Sequence, residues 1–524
     1  MAPSKRLKHR IPVKLRHNWK LVALCVAFLA ACWGVFGSGT IRPYVTSAQA
    51  AEAGTVITDL TGTKDLFDPS VAHEVTLTFA DAAYEDMLNE YFKEGEKEYV
   101  EADLTVDGTR IPSVGVRLKG NSTLMSLTWK GQSKRRSVPG GGGQPAGPPE
   151  GFRPPGDGQQ PVDGQQPVDG QQPQQGNGRP RGGGGFGVSL KGEEPENLPW
   201  LISFDEFVEG RRYQGHSQVA VRPAATASPA MLNEALGIAM VGASGEPTQR
   251  STYSSFTVNG RSSAPRLLVE YLDEGYAERL GDGVLYKSLA GGGFSYKGED
   301  QTGYTTDFKQ INKVGGKDLQ PVIDLVKWVN AASDAEFAEG LAERLDVESF
   351  ARYLVLQNMM VNFDDMAGPG RNYYLWYDLD SERFTVITWD LNLAFNGDAE
   401  SGVNDAIGMG FGWGRAGQQG GPPQAGLTQA EPRQGGGMNR MGHPLKERFL
   451  ANATFKKMYE EQYRALYAKL LSSGAASRLL DELVASYELN ERADPAEVGE
   501  EAKTLRTFLR TRTETLGSDK AITG

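Results

Sequence analysis

Three short stretches carry carboxylates and amides at a spacing that invites chemistry: Asn362-Phe363-Asp364-Asp365, Arg371-Asn372-Tyr373-Tyr374-Leu375-Trp376-Tyr377, and Thr388-Trp389-Asp390-Leu391-Asn392. Phosphoryl transfer requires such a set. One carboxylate orients the attacking hydroxyl, and another, with an amide oxygen, holds a divalent cation against the phosphates. Acidic residues also favour turns and strand ends. The residues alone therefore leave two readings open, a metal-assisted transfer site or ordinary loop and strand-end carboxylates.

A hairpin is the element that must position them. The aromatic and β-branched run Tyr373, Tyr374, Trp376, Tyr377, Phe384, Val386 and Ile387 suits a pleated, half-buried surface, so strands are expected over 372–377 and 384–389, turned at Asp378-Leu379-Asp380-Ser381. Such a hairpin returns Asp390 to the end where the Asp364 loop enters. Upstream, Asp346 can cap a helix whose Phe350, Leu354 and Val361 lead into that loop. Ser333-Asp334-Ala335-Glu336 has capping-box form, and Leu319, Val322, Ile323, Val326 and Val329 recur at helical spacing. Further N-terminal, Val75, Leu77 and Phe79 suggest a strand, 82–92 a helix, and Asp107-Gly108 a hairpin turn. Residues 231–240 are helical in composition, and Glu234 there either pairs with a phosphate-binding lysine or lies on a solvated face. Strands at 253–258 and 267–272 follow. The acidic exit of the second, Asp273-Glu274-Gly275, reads either as a nucleotide hinge or as an ordinary turn after a buried strand.

The segment resembles the signature of the CotH kinase family, the spore-coat-protein-H-like atypical protein kinases. An N-x-D loop matches Asn362-Phe363-Asp364, an N-Y-Y-L-Y strand matches Asn372-Tyr373-Tyr374-Leu375-Trp376, and a W-D-L-D strand end matches Trp389-Asp390-Leu391-Asn392. Val116-Arg117-Leu118-Lys119-Gly120-Asn121-Ser122-Thr123 is similar to the family's R-x-K/R-G-N-S/T-S/T box, and Gly283-Val284-Leu285-Tyr286-Lys287 to its G-x-L-Y-K. The order and rough spacing fit along residues 70–470. Two departures stand out. Asn392 stands where many relatives carry a second Asp, and the basic residue the family often places shortly before its Phe-Asp strand is not evident in residues 197–205. Phosphate neutralisation then falls to Lys119, Arg117 or Lys191.

Composition narrows the class further. The 524 residues carry a net charge of −11, although Lys5, Arg6, Lys8, Arg10, Lys14, Arg16 and Lys20 precede the first acid. The body is thus more acidic than the total, which argues against nucleic acid as a partner. After this leader, residues 21–36 are uncharged and apolar, with the form of a membrane anchor or signal core that places the bulk outside. Ala48-Gln49-Ala50 offers a cleavage site and Leu29-Ala30-Ala31-Cys32 a lipobox form; an uncleaved anchor is the first choice among the three. Both cysteines, Cys25 and Cys32, fall in this run, so the body has no disulfide and no cysteine metal site. The 5 histidines are scattered without ligand spacing, against a zinc enzyme. Residues 138–188, with the repeat Pro-Val-Asp-Gly-Gln-Gln starting at Pro161 and again at Pro167, cannot bury enough apolar surface to offset chain entropy and are expected to be a disordered insertion.

The expected architecture is α+β, a two-lobed protein-kinase-like fold with a sheet-rich N-lobe and a mostly helical C-lobe, an N-terminal membrane or signal segment and two Gly-rich insertions. The expected boundaries are a leader at 1–50, an N-lobe at 70–290 interrupted by 138–188, and a C-lobe at 291–515 interrupted by 408–442. The resemblance implies transfer of the ATP γ-phosphoryl group to Ser/Thr of exported or surface proteins, with Mg²⁺ or Mn²⁺. Asp364 would then be the base, with Asp365 in reserve. Asn372, Asp390 and Asn392 would hold metal. Arg117, Lys119 and Lys287 would meet nucleotide, and Glu270 would mark the hinge. The location would be the cell membrane, with the body outside, or the secreted or surface space. The rival reading is a catalytically silent binding or adhesion module on the same fold. A metal-dependent phosphodiesterase would need a denser cluster of carboxylates and histidines.

Overall fold

A computed structural model describes residues 56–120, 123–133, 190–223, 228–314, 318–407 and 442–524. The leader, the 138–188 tract and nearly all of 408–442 lie outside the described residues. The architecture is mixed α+β. Among the described residues no helix is long and apolar enough to cross a membrane.

The N-terminal half is a closed barrel of seven strands: β1 (Glu74–Thr78), β2 (Val100–Val106), β3 (Thr109–Leu118), β4 (Trp200–Ser203), β5 (Gln218–Val221), β6 (Ser251–Val258) and β7 (Ala264–Glu270). Their order around the barrel is β5-β7-β6-β1-β2-β3-β4, and β4 pairs back to β5. All pairs are antiparallel except β6 with β1, where Ser255 lies against Glu74. Alternation builds the interior: along β2, Val100, Ala102, Leu104 and Val106 are buried, the period of two a half-buried strand requires. Asp107 (φ 48°) and Gly108 (φ 82°) are both left-handed, as a two-residue turn between right-twisted strands requires. Closure removes the exposed edges that an open sheet would leave. The helix α1 (Asp81–Lys93) packs Tyr84, Met87, Leu88 and Tyr91 into the same apolar core as Leu118, Trp200 and Phe256.

The second half is not purely helical. A four-stranded antiparallel sheet runs β9-β8-β10-β11, with β8 (Gly283–Ser288), β9 (Phe308–Gln310), β10 (Tyr373–Asp378) and β11 (Arg383–Thr388). The last two strands form the hairpin expected from the aromatic pattern, with Tyr373 opposite Thr388 and Asp378 opposite Arg383. Gly283 is required at its place, because a Cβ there would meet the Trp376 ring at 2.3 Å and the Tyr377 carbonyl at 2.5 Å. The longer helices are α2 (Leu232–Ser244), α3 (Gln320–Ala331), α4 (Val347–Met359), α5 (Pro444–Ala451), α6 (Ala453–Leu466), α7 (Ala475–Glu488) and α8 (Pro495–Gly517), of which α4 packs directly against β11. Asp346 caps α4 by accepting from the Ser349 N–H at 3.0 Å, and Ser333 with Glu336 forms the capping box.

Both halves fall within one compact unit, residues 52–313 and 317–524. The reason is α2. It buries Leu232, Glu234, Ala235, Leu236, Ile238, Met240 and Val241 and packs against the barrel strand β6 as well as against α7 and α8.

Candidate active site

Four chain segments converge on one polar cluster. The exit of β3 brings Lys119, whose N–H donates to the Pro199 carbonyl at 2.9 Å, and the exit of β5 brings Arg222, whose N–H donates to the Leu267 carbonyl at 2.9 Å. The first turn of α2 brings Glu234, and the exit of β11 brings Asp390. Arg222 joins the two acids. Its Nε donates to Glu234 Oε2 and its Nη2 to Asp390 Oδ1, both at 2.5 Å. Glu234 is 2% exposed and Asp390 29%, so the first bond is sealed from water and the second opens to it.

Asp390 holds a left-handed backbone (φ 55°, ψ 65°), an uncommon conformation for a residue other than glycine. Such residues persist where surrounding contacts over-determine them, often at functional sites. Here α2 supplies those contacts. Asn233 Nδ2 donates to the Asn392 carbonyl at 2.5 Å, and Gly237 leaves room for Leu391, whose Cδ1 would lie 3.0 Å from a Cβ at that position.

An aromatic wall carries two lysines beside the cluster. Lys119 Nζ lies 5.4 Å from the Trp389 ring centroid, and Lys287 Nζ lies 5.0 Å from Trp389 and 5.4 Å from both Tyr271 and Tyr374. Burial pushes the Lys119 amine down to about 7, and the Arg222 charge adds to this, against the pull of Asp390 and Glu234. Burial would raise the Asp390 carboxyl, but Arg222 and Lys119 outweigh it and hold the group below its usual value. Three basic side chains, Lys119 with its amine near neutrality, thus face two acids, an arrangement that can meet the negative charge of a polyphosphate.

The Asp364 loop follows α4. Asp364 Oδ1 accepts from the Gly370 N–H at 2.6 Å, while Asn372 Nδ2 donates to Asp364 Oδ2 and to its carbonyl, both at 3.0 Å. Burial raises the Asp364 carboxyl. The Gly370 bond opposes it, and the negative charge of Asp390 adds to the rise. A carboxylate pushed upward in this way is suited to accept a proton. Asp365 turns elsewhere: its Oδ1 accepts from the Ala367 N–H at 2.8 Å and its Oδ2 from Lys446 Nζ at 2.5 Å, with the side chain 3% exposed. It ties the loop to α5, and with Lys446 it lines a cavity of about 560 Å³ between the loop, α4, α5 and α6.

Other sequence candidates lie apart from the cluster. Arg117 sits over the Tyr99 ring at 5.1 Å and donates to the Leu118 carbonyl at 3.3 Å. Lys191 pairs with Glu194 at 2.8 Å. Glu270 is not an open hinge residue. It is fully buried, 2.5 Å from Arg279 and 3.3 Å from His216, and it accepts from the Arg250 N–H at 3.0 Å. Asp273 closes the turn behind it, accepting from the Ser217 N–H, the Ser217 hydroxyl and the Gln218 N–H, each at 2.8 Å. The side chains of the acidic strand exit therefore satisfy donors from neighbouring segments. Asn392 contributes its backbone carbonyl, already engaged by Asn233, to holding α2. Arg222 escaped the sequence reading, although a lone cation closing the apolar run Val219-Ala220-Val221 was its signal.

Among the described residues no group of three or more His, Cys, Asp or Glu converges as a metal cage. The donors beside Asp364 are Asp390 and the Asn372 amide oxygen. Mg²⁺ and similar hard ions take oxygen donors, commonly one or two carboxylates with water and substrate phosphates making up the shell. This donor set fits a nucleotide-borne divalent ion.

A family model described as CotH kinase protein matches residues 181–516, a span that contains Arg222, Glu234, Asp364, Asn372 and Asp390 and begins after Lys119. No curated protein matches the chain.

Proposed function

We propose that this chain, which belongs to the CotH kinase family, transfers the γ-phosphoryl group of ATP to serine or threonine hydroxyls of exported or surface proteins. The observation that carries this is the bridge of Arg222 between Glu234 and Asp390, set beside Lys119 with Asp364 near enough to feel the Asp390 charge. ATP with Mg²⁺ or Mn²⁺ supplies the transferable group and the cation that offsets its charge. Lys119, Arg222 and Lys287 bind the phosphates. Asp390, with the Asn372 amide oxygen, holds the cation. Asp364 orients the acceptor hydroxyl and takes its proton, and the Gly370 and Asn372 bonds fix its carboxylate for that task.

The expected result is saturable ATP binding by the full-length chain that requires Mg²⁺ or Mn²⁺ and is lost with chelator, together with transfer of labelled phosphate to a protein acceptor. Absence of nucleotide binding with either metal would sink the enzyme reading. In its place would stand a silent binding module on the same fold. One observation favours that module: Asp390 Oδ1 is already engaged by Arg222.

The body is placed outside the cytoplasmic membrane, on the strength of the basic leader and apolar run at 5–36. Protease added to intact cells should therefore digest it. Full protection until lysis would contradict this location.

A further inference from the structure

The C-terminal helix α8 carries two buried charges that act on opposite halves of the proposed site. Glu501 is 8% exposed. Its Oε1 accepts from the Ser228 hydroxyl and from the Leu232 N–H, the latter at 2.8 Å, and its Oε2 accepts from the Ala230 N–H at 2.9 Å. These donors surround the first turn of α2, whose own N-cap residue, Met231, makes no side-chain cap bond. A helix start leaves N–H groups without partners and carries partial positive charge. Glu501 meets both needs from more than 250 residues away in sequence.

Arg512 is fully buried at the other end of the same helix. Its Nη2 donates to the Asn358 carbonyl at 3.1 Å and its Nε to the Met359 carbonyl at 3.2 Å, the last carbonyls of α4, where partial negative charge collects. Its Nη1 donates to the Ser401 carbonyl and, at 3.3 Å, to that of Ala399, on the chain that follows Asp390. Glu501 and Arg512 stand about three helical turns apart, roughly 16 Å, on nearly the same face of α8. One rigid element thus grips the start of the helix that carries Glu234 and the end of the helix that feeds the Asp364 loop. The two ends meet again at the site, because the Phe395 N–H donates to the Met360 carbonyl at 2.6 Å and Asn233 holds the Asn392 carbonyl.

We infer that α8 is a brace across the site, with Glu501 and Arg512 as positioning residues that keep the Arg222–Glu234–Asp390 bridge in register with Asp364. The consequence for transfer rests on the proposed function; the mechanical coupling does not. Hydrogen exchange on the full-length chain, the E501Q and E501D variants and the R512K variant separates the two. Gln at 501 sets an amide donor against N–H donors and loses the charge, while Asp keeps the charge on a shorter arm. E501Q should speed exchange about tenfold or more not only at 230–236 but also at 391–396, in a segment Glu501 does not touch. E501D should restore part of that protection. R512K keeps the charge without the fork and should speed exchange at 357–366 and 391–396.

In the same variants metal-dependent ATP binding should weaken by a similar factor, with the KM for the acceptor unchanged. Faster exchange confined to 228–232 in E501Q and to 357–360 in R512K would overturn the brace, whatever the activity. Should E501Q fail to fold, R512K and E501D decide by the same criterion. A parent chain that binds no ATP would remove the kinase reading and leave the exchange result to judge the brace.

Discussion

Asp390→Asn lowers metal-dependent ATP binding by about 100-fold or more, while Asp364→Asn leaves binding within a few-fold and depresses transfer by about 10²–10⁴. The contrast follows from the surroundings of each carboxyl. Arg222 and Lys119 hold the Asp390 carboxyl below its usual value despite burial, so it is anionic at neutral pH. An amide there still accepts from Arg222 but holds a divalent ion poorly, since hard cations favour anionic oxygen. Asp364 is the opposite case: burial and the nearby Asp390 charge raise its carboxyl toward the range where proton transfer is efficient. Asparagine keeps its shape and one oxygen acceptor but cannot take a proton. Nucleotide titrations with Mg²⁺ or Mn²⁺, alongside transfer of labelled phosphate, measure both effects. If the two variants transfer phosphate as well as the parent, the roles given to these residues are wrong. If both lose binding equally, Asp364 belongs to the metal site as well.

Arg222→Met should destabilise the fold by about 3–5 kcal/mol, because removing one partner of a buried ion pair leaves an uncompensated charge. Glu234, 2% exposed, is the acid left stranded; Asp390, 29% exposed, is partly rehydrated. Some relief comes from Lys119, whose amine burial holds down to about 7 with the Arg222 charge adding to it, and which binds its proton more tightly once that charge is gone. The double variant Arg222→Met with Glu234→Gln should recover about half of the loss, since the stranded charge is then neutral. Urea unfolding reads these differences, provided the denaturant slope is unchanged. A cost below about 1 kcal/mol for the single variant, the range of exposed pairs, would mean that the bridge is solvated in solution. Equal losses in the single and double variants would assign the cost to packing of the arginine stem instead.

Several elements were legible before any coordinates because their causes lie within a few residues. The alternation of Tyr373 through Ile387 specifies a hairpin, Asp107-Gly108 supplies the two left-handed residues of a tight turn, and Ser333 with Glu336 closes a capping box on itself. The N-x-D loop and the Trp389-Asp390 strand end were singled out differently: the residues alone left ordinary loop and strand-end carboxylates open, and only the resemblance to the family's motifs pointed to Asp364 and Asp390. Their neighbours were not legible even so. Arg222 and Glu234 lie 12 residues apart and Arg222 and Asp390 168 apart, and nothing along the chain marks the three as partners. Glu270 at its strand exit looks like an edge open to a ligand, yet His216, Arg250 and Arg279 close on it from other elements. Asp364 and Asp365 are adjacent and alike in sequence, and only the positions of Gly370, Asn372 and Lys446 send one toward Asp390 and the other toward α5. By itself the sequence determined the hairpin and the caps, because turn, cap and alternation energies act between near neighbours. The tertiary structure alone decided which cations face the site's carboxylates, because Arg222, Glu234 and Asp390 come from the exit of β5, the first turn of α2 and the exit of β11, which meet only in the folded chain.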